Sequence, residues 1–264
     1  MMYLYEGGNA ISNAEPVNKE DVPGVIEHAK RILPSALLKN LQVNIGSAGF
    51  KKVPAGDIDL MVEAEDVVNM FQTQDNPKGP VAAGKRSLQT YLTAKGYESS
   101  ITGRNVHVGI PYKQQATGQN KVAQVDYMVI KDAAIVAPYH QHGPRGMYSD
   151  PSFKGQQNFV LMASIATYLG LKFDPFGAFL VRRDNDEVVA RKRADVAKIL
   201  LGPNAKESSL DSVKSMMSAL QNDPDREGKL TQAYRDQAKG SLTLPEASPT
   251  PGTAAWFRKM GHQL

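Results

Sequence analysis

The chain contains no cysteine among its 264 residues, so disulfide bonds, thiolate nucleophiles and zinc–thiolate sites are excluded. It also lacks any apolar run approaching the roughly 18 residues that a membrane helix requires. Its start, Met1 to Gly8, has neither the basic nor the apolar region of a secretory signal peptide. We therefore expect a protein of the reducing cytoplasm, without a membrane segment.

The composition is that of a folded globular protein, with 41% hydrophobic and 22% charged residues. The formal net charge is +4, and the basic excess lies from Lys154 onward. A basic second half suits a polyanion such as a nucleoside triphosphate or RNA. A solvated helical surface explains so small an excess equally well.

The spacing of apolar residues predicts an α/β fold of the α+β type over the first half of the chain. A helical stripe and a series of short alternating runs indicate a mixed central sheet of about five strands flanked by helices. The predicted helices cover 19–32, 63–71 and 84–95, and the predicted strands cover 41–45, 57–62, 97–102, 105–111 and 122–130.

The second half reads as a mostly helical region. We predict helices at 155–171, 193–201, 210–220 and 225–238, with a hairpin over 176–189. The pattern divides the chain into a first domain over 1–150, a helical region over 151–240 and a tail over 241–264. Because the tail is rich in proline, serine and threonine, we expect it to be an extended arm.

Two aspartates in one predicted strand carry the strongest chemical signal. Asp57 and Asp59 alternate with apolar residues, so both side chains are expected on the same face of the strand. Neighbouring carboxylates repel unless a cation lies between them, and oxygen ligands on a rigid strand suit Mg²⁺. The preceding loop, 46–56, offers backbone N–H groups, a hydroxyl and two lysines, which can hold a triphosphate against that ion.

A third carboxylate is expected from a neighbouring strand. Asp126 interrupts an apolar strand-like run, between Val125 and Met128. A buried, unpaired acid is costly, so we expect Asp126 to have a cationic partner. Three aspartates holding two metal ions would form the clamp used for in-line nucleotidyl transfer.

These residues resemble the DNA polymerase beta-type nucleotidyltransferase superfamily. Its pattern is Gly-Ser, a spacer, Asp-x-Asp and a later aspartate on a strand, matched here by Gly46-Ser47, Asp57-x-Asp59 and Asp126. The wider run from Gly46 to Asp59 is similar to nucleotidyltransferases encoded by bacteriophages, as are Val106-His107-Val108 and Phe153-Lys154-Gly155. The resemblance spans roughly 6–220.

The resemblance implies the nucleotidyltransferase fold, with a catalytic domain over 1–150 and a helical region that closes the nucleotide cleft. It implies transfer of NMP from an NTP such as ATP to an acceptor hydroxyl, with two Mg²⁺ ions that Mn²⁺ can replace. The implied catalytic and metal-binding residues are Asp57, Asp59 and Asp126, and the implied nucleotide contacts are Gly46, Ser47, Lys52 and Lys154.

The acceptor is left open by this pattern. One hypothesis is an RNA 3′ end, which the basic second half favours. A second is nucleotidylation of a host protein, in the host cytoplasm if the chain is phage-encoded. A third is a non-enzymatic nucleotide-binding or particle-associated protein that keeps the fold.

Three other features favour structural interpretations. The run 79–85 imitates a P-loop, but Arg86 stands where Ser or Thr is required and no apolar strand precedes it. The two histidines of His140-Gln141-His142 lack a third ligand nearby and predict a polar loop. We interpret His107, within an alternating strand, as a structural histidine rather than a base.

Overall fold

The computed structural model describes residues 10–46, 48, 54–140, 156–177 and 179–238. The chain divides into two compact units, Met1–His142 and Gly143–Leu264. The boundary predicted from the sequence, at residue 150, lies a few residues further along the chain.

The first unit contains a mixed α/β arrangement within its described residues. A 3-10 turn, Ser35–Leu38, follows the first helix. The helices are α1 (Val22–Ile32), α2 (Ala64–Met70), α3 (Pro80–Ala94) and α4 (Ala133–His140), and the strands are β1 (Gln42–Ile45), β2 (Ile58–Glu63), β3 (Ser99–Thr102), β4 (Asn105–Lys113) and β5 (Asn120–Ile130).

The five strands form one sheet in the order β1-β2-β5-β4-β3. Strands β2 and β5 are parallel, whereas the other neighbours are antiparallel. The predicted α+β class and mixed central sheet are confirmed. Of these five strands, β5 comes last in the sequence, yet the order places it in the middle of the sheet, next to β2.

One face of the sheet is apolar and packs against helices. Alternate residues of β2 and β5 are buried there, together with Val25 and Ala29 of α1 and Leu88 and Leu92 of α3. Burial of each valine, leucine or isoleucine side chain there stabilises the folded state by about 1.5–3 kcal/mol. The buried strand residues are Ile58, Leu60, Val62, Val125, Tyr127 and Val129. The intervening residues, which include Asp59 and Asp126, therefore lie on the opposite face.

The first unit departs from the sequence prediction at two helices. Helix α3 begins at Pro80, before the start predicted at residue 84; Gly79 has φ 88° and proline is favoured at the first helical position. Helix α4 was not predicted. Its first backbone N–H groups are satisfied by Glu63, whose carboxylate accepts from Asp132 N at 3.1 Å and from Ala133 N at 2.8 Å.

The second unit combines helices with a small sheet. Within its described residues, β6, β7 and β8 form an antiparallel sheet in that order. A 3-10 turn, Glu207–Leu210, precedes the third helix. The elements are α5 (Gln156–Tyr168), β6 (Leu171–Asp174), β7 (Phe179–Arg182), β8 (Val188–Ala190), α6 (Arg193–Leu201), α7 (Val213–Leu220) and α8 (Arg226–Ala238).

The predicted hairpin and α6 are confirmed, but the predicted helix over 155–171 included Leu171, the first residue of β6. Gly170, with φ 71°, ends the helical segment before Leu171. The predicted helix over 210–220 begins instead at Val213, where Ser212 accepts a hydrogen bond from Ser215 N. The predicted tail over 241–264 lies outside the described residues. Among the helices described, none has the length and apolar character needed to cross a membrane.

Candidate functional site

A row of polar side chains crosses the sheet on the face opposite the apolar core. Asp59 of β2 pairs in register with Asp126 of β5, and Asp126 pairs with His107 of β4. His107 in turn pairs with Ser100 of β3. Because directly paired residues share a face, the two carboxylates and the imidazole lie side by side.

Gly46 lies against the carboxylate of Asp59. Its φ is +70°, and a Cβ added there would lie 2.5 Å from Asp59 Oδ2. The backbone N–H of Gly46 donates to the carbonyl of His140 at 3.1 Å, which fixes the end of β1. Only glycine permits both this conformation and this approach. The glycine and the aspartate singled out in the sequence are thus in direct contact.

Replacing Gly46 with alanine is expected to lower the free energy of unfolding by about 1–2 kcal/mol, because an L side chain is disfavoured at positive φ. The new methyl group would also displace the Asp59 carboxylate. Gly24→Ala is a matched control, since a Cβ at Gly24 meets no atom within 4 Å. Urea unfolding should show a loss only for Gly46→Ala; equal stability of the two variants would contradict the contact.

The environment of Asp59 opposes its ionisation. The side chain is half-buried, and its pKa is raised to about 8 by burial, then by the charges of Asp57 and Asp126. Asp57, directly before β2, is therefore near enough to act on Asp59 electrostatically. Carboxyl groups perturbed in this way are typical of functional sites, where a proton or a cation compensates the charge.

Asp59 is expected to make the stability of the metal-free protein depend on pH. The unfolded group has a pKa of 3.8 and the folded group one of about 8, so between these values the folded state holds the extra proton. The free energy of unfolding should therefore fall as pH rises through this window. Asp59→Asn should remove the slope and be more stable at pH 8 by on the order of 2 kcal/mol, with solvent screening included.

The measurement is urea unfolding in EDTA at several pH values, with parent and variant compared at each. The difference between them should vanish near pH 4. If the free energy of unfolding depends on pH in the same way for the two proteins, Asp59 ionises normally in the folded state.

Asp126 is buried and held by three side chains. His107 Nδ1 lies 2.7 Å from Oδ1, and Gln124 Nε2 donates to the same oxygen at 2.9 Å. Asn105 Nδ2 donates to Oδ2 at 3.2 Å. The far nitrogen of His107 faces the hydroxyl of Thr102. If Nδ1 carries the proton, a neutral His107 satisfies both neighbours.

These contacts bear on two sequence predictions. The sequence predicts a cationic partner for Asp126, and its partners are the imidazole of His107, which is cationic only when protonated, and two side-chain amides. His107, interpreted as a structural histidine rather than a base, binds directly to a predicted catalytic residue. Asn105 and Gln124 were not predicted as site residues. Asn105 lies two positions before His107 on β4, and Gln124 lies two positions before Asp126 on β5. The alternation of polar residues along each strand is the signal that could have identified them.

The remaining predicted residues fall into two groups. The structure brings together Gly46, Asp57, Asp59 and Asp126. Ser47, Lys52 and Lys154 lie outside the described residues, as do Gln141 and His142. His140 ends α4, so the predicted polar loop does not begin there.

The donor chemistry of the row fits a hard divalent cation. Carboxylate oxygens are the ligands Mg²⁺ prefers, and the mutual repulsion that raises the pKa of Asp59 is relieved by a bound cation. Across the described residues, no three His, Asp or Glu side chains are already spaced to share one ion. The two oxygens of Asp126 both accept hydrogen bonds, and Asp59 lies at the end of the row next to Gly46.

Neither a family model nor a curated protein matches this chain. The function is therefore inferred from the residues and geometry of the site itself.

Proposed function

We propose that the chain is a metal-dependent nucleotidyltransferase that transfers NMP from an NTP to an acceptor hydroxyl. The observation that carries the proposal is the register of Asp59 with Asp126, with Gly46 packed against the Asp59 carboxylate. An acid pair on adjacent strands, beside a glycine that ends a third strand, is an arrangement suited to a metal–triphosphate complex.

The order of the elements supports the proposal. The nucleotidyltransferase resemblance requires Gly-Ser, then Asp-x-Asp, then an aspartate on a strand. Gly46 follows β1, Asp57 directly precedes β2, Asp59 lies at the start of β2, and Asp126 lies on β5 beside it. Residues distant in the sequence thus meet at one place on the sheet.

In the proposed reaction the acceptor oxygen attacks the α-phosphorus, the bond to the bridging oxygen breaks, and pyrophosphate leaves. Asp57 and Asp59 would hold two Mg²⁺ ions, or Mn²⁺ in their place, with Asp126 contributing to one of them. Bound ions supply charge neutralisation and lower the pKa of the attacking hydroxyl. His107, Asn105 and Gln124 fix the orientation of Asp126.

The triphosphate contacts proposed from the resemblance are Gly46, Ser47, Lys52 and Lys154. An RNA 3′ end is the acceptor that the basic second half favours. The NTP substrates are available in the cytoplasm, which the absence of cysteine also favours.

The test incubates full-length protein with each α-labelled NTP, Mg²⁺ and a bacterial extract, beside an Asp57→Ala/Asp59→Ala control. Label that only the parent transfers, and that RNase removes, would support transfer to RNA. Label that a protease removes would identify a protein acceptor. No transfer with any of the NTPs, with Mg²⁺ or Mn²⁺, would refute the activity and favour a nucleotide-binding role without turnover.

A further inference from the structure

A second polar site lies between α1 and the end of β4, on the face of the sheet opposite Asp59 and Asp126. It is an open cavity of about 300 Å³. Its size is at the lower end for small-ligand pockets. The residues that matter for its chemistry are Asp21, Gly24, Arg31, Tyr112 and Lys113. We call this cavity the α1 groove.

Two residues that line the groove each carry a buried polar atom without a hydrogen-bond partner among the described residues. One is Oδ2 of Asp21, a residue only 3% exposed, and the other is the hydroxyl of Tyr112. The other oxygen of Asp21 accepts from Gln115 N at 2.9 Å, so the carboxylate is fixed in orientation. Buried polar groups are nearly always satisfied, so a donor from outside the described residues is expected at Asp21 Oδ2.

The hydroxyl of Tyr112 is influenced by the charge of this carboxylate. Burial, then the charge of Asp21 and then that of Glu15, raises the pKa of Tyr112. The phenol therefore remains protonated and can donate to a ligand oxygen. Together, Asp21 and Tyr112 supply one acceptor and one donor among the residues that line the groove.

Two cations line the same groove without partners. Neither the guanidinium of Arg31 nor the ammonium of Lys113 makes an ion pair or hydrogen bond in the part of the chain that the structure describes. His28, which also lines the groove, is engaged by Pro111 O and the Tyr97 hydroxyl. The cations outnumber the single lining carboxylate, so the groove favours an anionic group.

Gly24 leaves the floor of the groove clear. It lies within α1, where glycine is a poor helix former. A Cβ at this position would meet nothing within 4 Å, so packing against the chain does not require glycine. A ligand in the groove would occupy the space that a side chain at position 24 would fill.

We infer that the α1 groove binds a ribose phosphate, with a ribose hydroxyl donating to Asp21 Oδ2 and phosphate oxygens accepting from Arg31 and Lys113. A carboxylate is the usual acceptor for ribose hydroxyls, and guanidinium and ammonium groups are the usual donors to phosphate. The ligand is either a free nucleotide or a segment of an RNA strand. The inference does not depend on the proposed function, because the groove shares no residue with the aspartate row.

The test measures binding of 5′-AMP by calorimetry, and of RNA and DNA oligonucleotides of one sequence by fluorescence anisotropy, to full-length protein in EDTA. Asp21→Asn keeps the shape and the contact to Gln115 but replaces the free acceptor with a donor. Gly24→Leu places a side chain in the space beside Gly24, and leucine is a good helix former. Arg31→Gln removes one cation. Lys78→Gln, outside the groove, is the control for loss of one positive charge.

Each groove variant is expected to weaken binding by roughly tenfold or more, since a hydrogen bond to a charged group is lost or the space is filled. The control should bind like the parent, and DNA should bind more weakly than RNA. If the groove variants weaken the binding of AMP, a free nucleotide is sufficient as the ligand. If they weaken the binding of RNA alone, the ligand is a segment of an RNA strand. Parent-like binding by both Asp21→Asn and Gly24→Leu, or no binding of AMP or RNA to the parent, would overturn the inference whatever the transfer assay shows.

Discussion

Asp59→Asn is expected to reduce the proposed nucleotidyl transfer by at least roughly 10³-fold, because losing a carboxylate proposed to bind metal would forfeit several kcal/mol of transition-state stabilisation. The same substitution should not destabilise the protein. Asparagine removes the repulsion from Asp57 and Asp126 that raises the pKa of Asp59. Loss of activity without loss of stability is the signature of a residue retained for function.

The measurement pairs initial transfer rates with urea unfolding of the same preparations. Asp75→Asn, a change of an exposed loop carboxylate, is the matched control and should alter neither quantity. An Asp59→Asn variant that retains activity would remove Asp59 from the catalytic site. One that loses activity only because it unfolds would assign it a structural role.

Lys229→Met is expected to cost about 3–5 kcal/mol of unfolding free energy, the largest stability effect we predict. Its ammonium lies 2.8 Å from Asp223 Oδ2, and both side chains are almost completely buried. Asp223 also accepts from Asp225 N at 2.8 Å, ahead of α8. A Cβ on Gly202 would lie 2.7 Å from Oδ2, so the carboxylate is enclosed by the chain. Methionine at position 229 leaves that charge buried and unpaired.

The control for this prediction is the exposed pair formed by Lys172 and Asp186, at 3.2 Å. Lys172→Met should change stability by less than about 1 kcal/mol, as is typical of solvated ion pairs. The double variant Asp223→Asn/Lys229→Met should recover most of the loss, because asparagine keeps the contact to Asp225 without the charge. Equal effects of Lys229→Met and Lys172→Met would show that the buried pair contributes no more than a surface pair.

The fold could be predicted where periodicity and length agree. The alternation around Asp59 gave the second strand, and the helical stripe starting at Val22 gave the first helix. The prediction failed where an apolar run continued through a change of structure. The predicted helix included Leu171, whereas Gly170, with φ 71°, ends the helical segment and Leu171 begins β6. It also failed at Pro80, because Gly-Pro is as typical of a loop as of a helix start.

The candidate site was predictable in part for a similar reason. Spacing along one strand relates Asp57 to Asp59 directly. The neighbours of Asp126 depend instead on the register between β4 and β5, which pairs it with His107. Register arises from the packing of the whole sheet and from the turn that joins the strands. A single sequence therefore indicated the acids but not the residues that orient one of them.

The single parallel pairing in the first unit's sheet has a consequence for how the site forms during synthesis. The antiparallel pairs β1–β2 and β3–β4–β5 join strands that follow one another along the chain, whereas β2 and β5 are separated by two helices and two strands. Pairing over such a distance closes a long loop and is slow compared with hairpin formation. Asp59 and Asp126 consequently meet only after β5 has left the ribosome, and a nascent chain that ends before it carries the first two acids without the third.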